Sequence, residues 1–160
     1  MLTVAVCAAV ALFGCGGDEG SSAGSTVANA PVVEGVKPRV AVPDGPPPKN
    51  LVIKDLKKGT GKEAKVGGSL TVQFVAIRWN GEPFQSSWDS GSPEPFSFEL
   101  GHHQVNPAWE KGIPGMRVGG RRELVVPPKF IYYPTQYPGR KSIREPKDSL
   151  VYVVELLSIP

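Results

Sequence analysis

The chain of 160 residues contains only two cysteines, Cys7 and Cys15, and neither lies beyond residue 15. The rest of the chain can therefore form no disulfide and no cysteine-ligated metal centre. Histidine is almost as scarce, with only the adjacent pair His102-His103. Neighbours on an extended chain point apart and no third ligand is evident, so the pair reads as turn residues rather than metal ligands. Aromatic side chains are missing between Phe13 and Phe74, and the other twelve lie from Phe74 onward. A stretch without them cannot bury enough apolar surface to offset the entropy of ordering, so the folded part belongs to the C-terminal portion. Charge is divided in the same way. Residues 1–48 hold two basic and four acidic side chains, whereas residues 49–160 hold sixteen and eleven, a net of +5. The arginines match no nucleic-acid motif, and nucleic acid is not an expected partner. The stretch 139–142 (GRKS) lacks the glycine before lysine and the strand-to-helix setting of a phosphate-binding loop.

The N-terminal run MLTVAVCAAVALFGCGG is too short to span a bilayer comfortably and has the length of a signal-peptide apolar region. Leu12-Phe13-Gly14-Cys15 resembles a bacterial lipobox, in which cleavage precedes the cysteine and lipid is attached to it. Two departures stand out: Phe13 is bulky, and no Lys or Arg precedes the apolar run. An ordinary cleaved signal or a membrane anchor is the alternative. On the lipobox reading, residues 1–14 are a signal peptide, Cys15 carries the lipid, and the protein sits in the cell envelope on the extracytoplasmic side of a membrane. Residues 15–48, dominated by Gly, Ser, Ala and Pro and closing on Pro46-Pro47-Pro48, are then a disordered linker, stiffer toward the prolines. The domain is expected over 49–160.

Within that domain, residues 51–56 alternate apolar and polar as a first strand. Residues 69–79 form a long one, with Leu70, Val72, Phe74, Ala76 and Arg78 on one face. Asn80-Gly81 marks a hairpin, since both residues tolerate positive φ. Extended chain follows at 84–88, 95–100, 121–126 and 149–159. Arg121-Arg122 reads as a solvated face plus one sheet-edge contact. The only helix is short, because Pro107, Gly112, Pro114 and Gly115 confine it around Trp109. An antiparallel sheet with one helix must bury its apolar face under that helix. The fold class is α+β, a twisted antiparallel sheet wrapped around one short helix. Trp109 then either plugs a small core or floors a hollow between helix and sheet.

The strings VQFVAIRWNGEPFQSS, PFSFELG, QVNPAWEKGIPGMRVGGRRELVVPP, YYPTQYPG and DSLVYVVELLSI resemble the FKBP-type peptidyl-prolyl cis-trans isomerases. The most specific are the Trp-Glu-x-Gly-x-x-x-Met-x-x-Gly run at 109–119 and the closing Val-x-x-Val-Glu-Leu-Leu at 151–157. The resemblance covers about residues 50–159 and implies a proline site between sheet and helix. Its wall would be Phe74, Phe84, Phe96, Val105, Trp109, Tyr132 and Tyr152. The Tyr132 hydroxyl would donate to bound ligand, the backbone at Val105 and Asn106 would hold the substrate chain, and Ile143 would touch it from the 134–147 loop.

Such a site needs no nucleophile, metal or cofactor, and the sequence offers no convincing general acid or base. Its partners would be proline-containing polypeptides, with the protein itself a monomer. Several positions depart from the family pattern. Phe74 replaces a common tyrosine and Tyr152 a common phenylalanine, which moves a hydroxyl while keeping both rings. Gln85 stands where Asp is common, so a negative field is lost. Asn106 replaces an aliphatic residue and makes the rim more polar. Arg140, Lys141 and Arg144 occupy a loop tip where apolar residues often flank the site. Turnover below the family norm is expected, with some selection for negative charge. The implied function is folding assistance to exported proteins; the alternative is a binding or chaperone module that kept the fold and lost most turnover.

Overall fold

A computed structural model describes residues 35–89, 94–131 and 148–160. Six strands form one antiparallel sheet: β1 (Val52–Lys57), β2 (Ser69–Arg78), β3 (Pro83–Ser86), β4 (Phe96–Glu99), β5 (Arg121–Val126) and β6 (Leu150–Ser158). The order is β1-β5-β6-β2-β3, with β4 paired to the first half of β2. The one α-helix among the described residues, α1 (Pro107–Gly112), lies on one face, and a 3-10 turn at Pro128–Phe130 follows β5. This is the architecture read from the sequence.

Period-two alternation decides the faces. Leu70, Val72, Phe74 and Ala76 of β2, Leu124 and Val126 of β5, and Leu150, Tyr152, Val154 and Leu156 of β6 form one buried cluster with Trp109 and Ile113. The hairpin after β2 differs from the expected turn. Gly81 alone takes positive φ, at 87°. Its N–H donates to Arg78 O at 2.9 Å, and Arg78 N–H donates to Glu82 O at 2.8 Å. This is a three-residue loop rather than a two-residue one.

Short helices need external support, because their end groups lack intrahelical partners. Asn106 caps α1: its Oδ1 accepts Trp109 N–H at 2.9 Å, and Pro107 opens the first turn. At the other end, Arg122 Nη1 donates to Gly112 O (2.7 Å) and Pro114 O (3.2 Å), while its Nε donates to Asp55 Oδ1 at 2.6 Å. Gly112 also permits close approach to β5, since a Cβ there would lie 2.7 Å from Leu124 Cδ2.

The expectation for Arg121-Arg122 is thus overturned. Both residues are buried, and Arg121 pairs with Glu155 at 2.7 Å, directly opposite it across β5–β6. Alternation separates the two arginines correctly onto opposite faces, but it does not reveal that both faces are covered. Glu123 shares the outer face with Lys54, its neighbour on β1. Burial raises its carboxyl pKa, and the Lys54 charge opposes that rise.

The outer face is unexpectedly dry. Val75, Val125, Val151 and Val153 lie on it, outside the helix-side cluster, yet none is more than 6% exposed. The chain from Lys37 to Asn50 explains how. Lys37 forms an ion pair with Asp89, just past the edge strand β3. Pro47, Pro48 and Lys49 sit beside Trp79, Pro127, Pro128 and Ser149, bounding a hollow of about 470 Å³. Asn50 Oδ1 accepts from Lys129 Nζ at 3.1 Å, and β1 then begins on the opposite edge. Between those ends the chain crosses the sheet. Twelve residues reach up to ~40 Å, against roughly 19 Å for four interstrand spacings. The helix occupies the other face; in this strap Pro38, Val40 and Val42 are half-buried. Composition marked 15–48 as linker throughout, yet Lys37, Pro47 and Pro48 meet the folded domain.

Candidate functional site

Trp109 is 3% exposed and ringed by other aromatics. The planes of Phe74, Phe96 and Tyr152 stand at 85°, 76° and 84° to the indole, with centroids 5.1, 6.3 and 5.7 Å away. Three rings rising edge-on from one flat ring make walls on a floor. Phe98, tilted at 59° and 5.7 Å from the indole, braces it, and stacks on Phe96 at 5.7 Å. Exposure rises outward: Phe74, Tyr152 and Val105 are buried, whereas Phe96 is 40% exposed. The indole Nε1 is buried without a hydrogen-bond partner among the described residues, a state that costs about 1–3 kcal/mol in a purely structural position.

Phe84 and Gln85 reach the same side through a β-bulge. Ile77 opposes Pro83 and Ala76 opposes Gln85, so Phe84 is the extra residue. Gln85 therefore shares the face of Ala76, while Phe84 packs against the core cluster beside it. Simple alternation would have sent one of the two outward. The Gln85 side chain is exposed and makes no hydrogen bond to a described residue. The Arg78 guanidinium lies over the Phe84 ring, 5.1 Å from its centroid.

The hydroxyl that Tyr152 carries is used within the site. Asn106 Nδ2 donates to Tyr152 Oη at 3.5 Å, a long contact, while Oδ1 of the same amide caps the helix. Asn106 is thus tied into the wall, so its amide oxygen is already engaged rather than free at the rim. The Asn-Pro pair at the helix start was the sequence signal for that cap.

Two further residues hold the walls and were not singled out from the sequence. Ser87, buried, accepts Phe74 N–H at its Oγ (2.9 Å), and its own N–H donates to Phe74 O (3.0 Å). Glu110 accepts from Gly101 N–H (2.6 Å) and His103 N–H (3.0 Å), fixing the turn that leads to Val105 and Asn106. His103 takes φ 55° in that turn. Among the described residues no cluster of His, Cys, Asp or Glu could hold a metal. Tyr132, Ile143, Arg140, Lys141, Arg144 and Cys15 lie outside the described residues.

A cluster of aromatic rings between a curved sheet and one short capped helix defines the class: a small α+β domain. Residues 60–157 match the family of FKBP-type peptidyl-prolyl cis-trans isomerases, and the chain belongs to that family. It is 39% identical over 124 residues to "FK506-binding protein" of Streptomyces anulatus, covering 77% of this chain and 97% of that one. Identity to "Probable FK506-binding protein" of Corynebacterium glutamicum is 40% over 123 residues, covering 76% and 98%. Among solved structures, AtFKBP13 matches at 30% identity and TM-score 0.56, over 71% of this chain and 95% of that one. FkpA from Escherichia coli matches at 31% and 0.55, over 68% of this chain and 47% of its own. The enzyme class is peptidylprolyl isomerase, and its substrates are proline-containing peptides.

Proposed function

We propose that the recess over Trp109 is the proline site, and that this isomerase serves exported proteins while held to a membrane by lipid on Cys15. The perpendicular placement of Phe74, Phe96 and Tyr152 on the indole carries the site assignment. In it, Trp109 is the floor, Phe84 and Gln85 form one rim, and Val105 and Asn106 present backbone to the substrate chain. By the family resemblance Tyr132 would donate to the bound chain and Ile143 would touch it.

The chemistry follows from the amide itself. Resonance gives the peptide bond a rotation barrier of about 18–20 kcal/mol, and X-Pro bonds exchange unaided in roughly tens of seconds. Twisting breaks the resonance, withdraws charge from the carbonyl oxygen and makes the ring nitrogen amine-like. An apolar recess disfavours the charge-separated planar amide more than the twisted one. Each ~1.4 kcal/mol of that difference is tenfold in rate. Rings on several sides hold the pyrrolidine while the preceding residue turns, which adds a positional gain.

Gln85 tests the site. It faces the recess from the bulge, and a carboxylate there restores a negative field near the rotating carbonyl. Gln85→Asp is expected to raise kcat/KM about three- to tenfold in a protease-coupled proline isomerisation assay. An unchanged rate in an active enzyme removes Gln85 from the reaction. Peptide binding without turnover in both proteins returns the holding module.

The envelope part rests on the sequence at Leu12 to Cys15 and on the Gly/Ser-rich stretch that follows. Mass spectrometry of the native protein is expected to find diacylglycerol on Cys15, and Cys15→Ser to release a monomer from the membrane fraction. An unmodified wild-type chain in the medium rules the anchor out.

A further inference from the structure

We infer that Arg78 is a specificity-determining residue, one that turns this isomerase toward prolines preceded by an acidic side chain. The inference rests on the assignment of Phe84 to the rim of the site.

Arg78 is the last residue of β2 and shares the face of Phe74 and Ala76 by alternation. It is half-buried, opposite Leu150 on β6 and two pairs from Tyr152. Its guanidinium rests over the Phe84 ring at 5.1 Å, and a stacked arginine keeps its charge while its stem covers apolar surface. No carboxylate among the described residues pairs with it: those that form ion pairs, Asp55, Glu63, Asp89, Glu99 and Glu155, do so with other cations. Gln85, on the same rim, is uncharged. Glu82, across the hairpin, forms no ion pair with it either, so among the described residues the charge at the site edge has no paired carboxylate.

A charge in that position acts on whatever flanks the bound ring. A carboxylate seated roughly 8 Å away, under water-like screening, gains about a twofold preference over a neutral group, and a lysine loses as much. Such an effect fades once the screening length falls to ~3 Å in 1 M salt. The chemistry recognised is an acidic residue beside the proline, whatever protein supplies it.

The test is kcat/KM for three matched peptides with Glu, Gln or Lys before the proline, measured on the full chain. The wild type is expected to rank Glu above Gln above Lys, with an end-to-end ratio of about five at low salt and near one in 1 M NaCl. Arg78→Gln should lower the Glu value and raise the Lys value, bringing the ratio close to one. Arg78→Leu, which keeps apolar cover on Phe84, should do the same. A ratio unchanged in both variants, or absent from the wild type, overturns the proposal. Phe84→Ala separates the two readings: it slows all three peptides if the rim assignment holds. Unaltered rates there discard the assignment itself rather than the charge selection.

Discussion

Glu155→Leu is expected to remove about 3–5 kcal/mol of stability, because it takes away the carboxylate that faces the buried Arg121 guanidinium. Arg121 Nη2 and Glu155 Oε2 are 2.7 Å apart, and each side chain is only 6% exposed. An attraction of that kind roughly offsets the desolvation of both ions, so the pair adds little net stability while either half alone is costly. Arg121→Met combined with Glu155→Leu should therefore recover most of the loss. Urea melts of the two single variants and the double variant measure this as a coupling energy. A Glu155→Leu loss below about 1 kcal/mol would mean that water reaches the pair. The pair lies on the face opposite the aromatic recess, so turnover per folded molecule should not change.

That arrangement also marks the limit of what the sequence discloses. Alternation in β2 separated Leu70, Val72, Phe74 and Ala76 from Thr71, Gln73 and Val75, and the structure keeps that division. The short helix, its tryptophan and the rings around it were legible because Gly and Pro fix a helix's length and a sheet needs a cover. Period two says which way a side chain points but not what lies above it. Arg121 and Arg122 point to opposite faces, one beside Glu155 and the other under the helix end, and nothing local to them announces that both are buried. The bulge at Phe84 was hidden for a related reason. It is a property of the pairing between β2 and β3, and it brings two consecutive residues to the recess. Asn106 carries two signals at once, since Asn before Pro at a helix start is a capping signal as well as a polar substitution at the rim.

A chain beginning at residue 49 is expected to be less stable than one beginning at residue 36 by about 2–4 kcal/mol, and more prone to aggregate. Removing the strap is expected to uncover Val75, Val125, Val151 and Val153, none of them more than 6% exposed. Fully burying a valine is worth about 1.5–3 kcal/mol, and a side chain on an open sheet keeps part of that through its neighbours. Against this stands the cost of ordering a dozen residues, which would be prohibitive for a flexible segment. Five of the twelve residues from Lys37 to Pro48 are proline, and fixed φ angles lower that cost in the unfolded chain. The absence of aromatics, which made this segment resemble a linker, is no obstacle to covering a row of valines with Pro38, Val40 and Val42. The Streptomyces relative supports the same boundary: a 124-residue match in a chain ending at 160 begins no later than residue 37. Thermal melts of the two lengths are the direct comparison, with hydrogen exchange at Val151 and Val153 reporting whether the outer face has opened. Equal melting temperatures would mean that the strap rests on the sheet without stabilising it. A difference of several degrees would move the free tether's end from Pro48 back to Lys37, beside Asp89 at the β3 edge, and so change the point from which a membrane anchor would hold the recess.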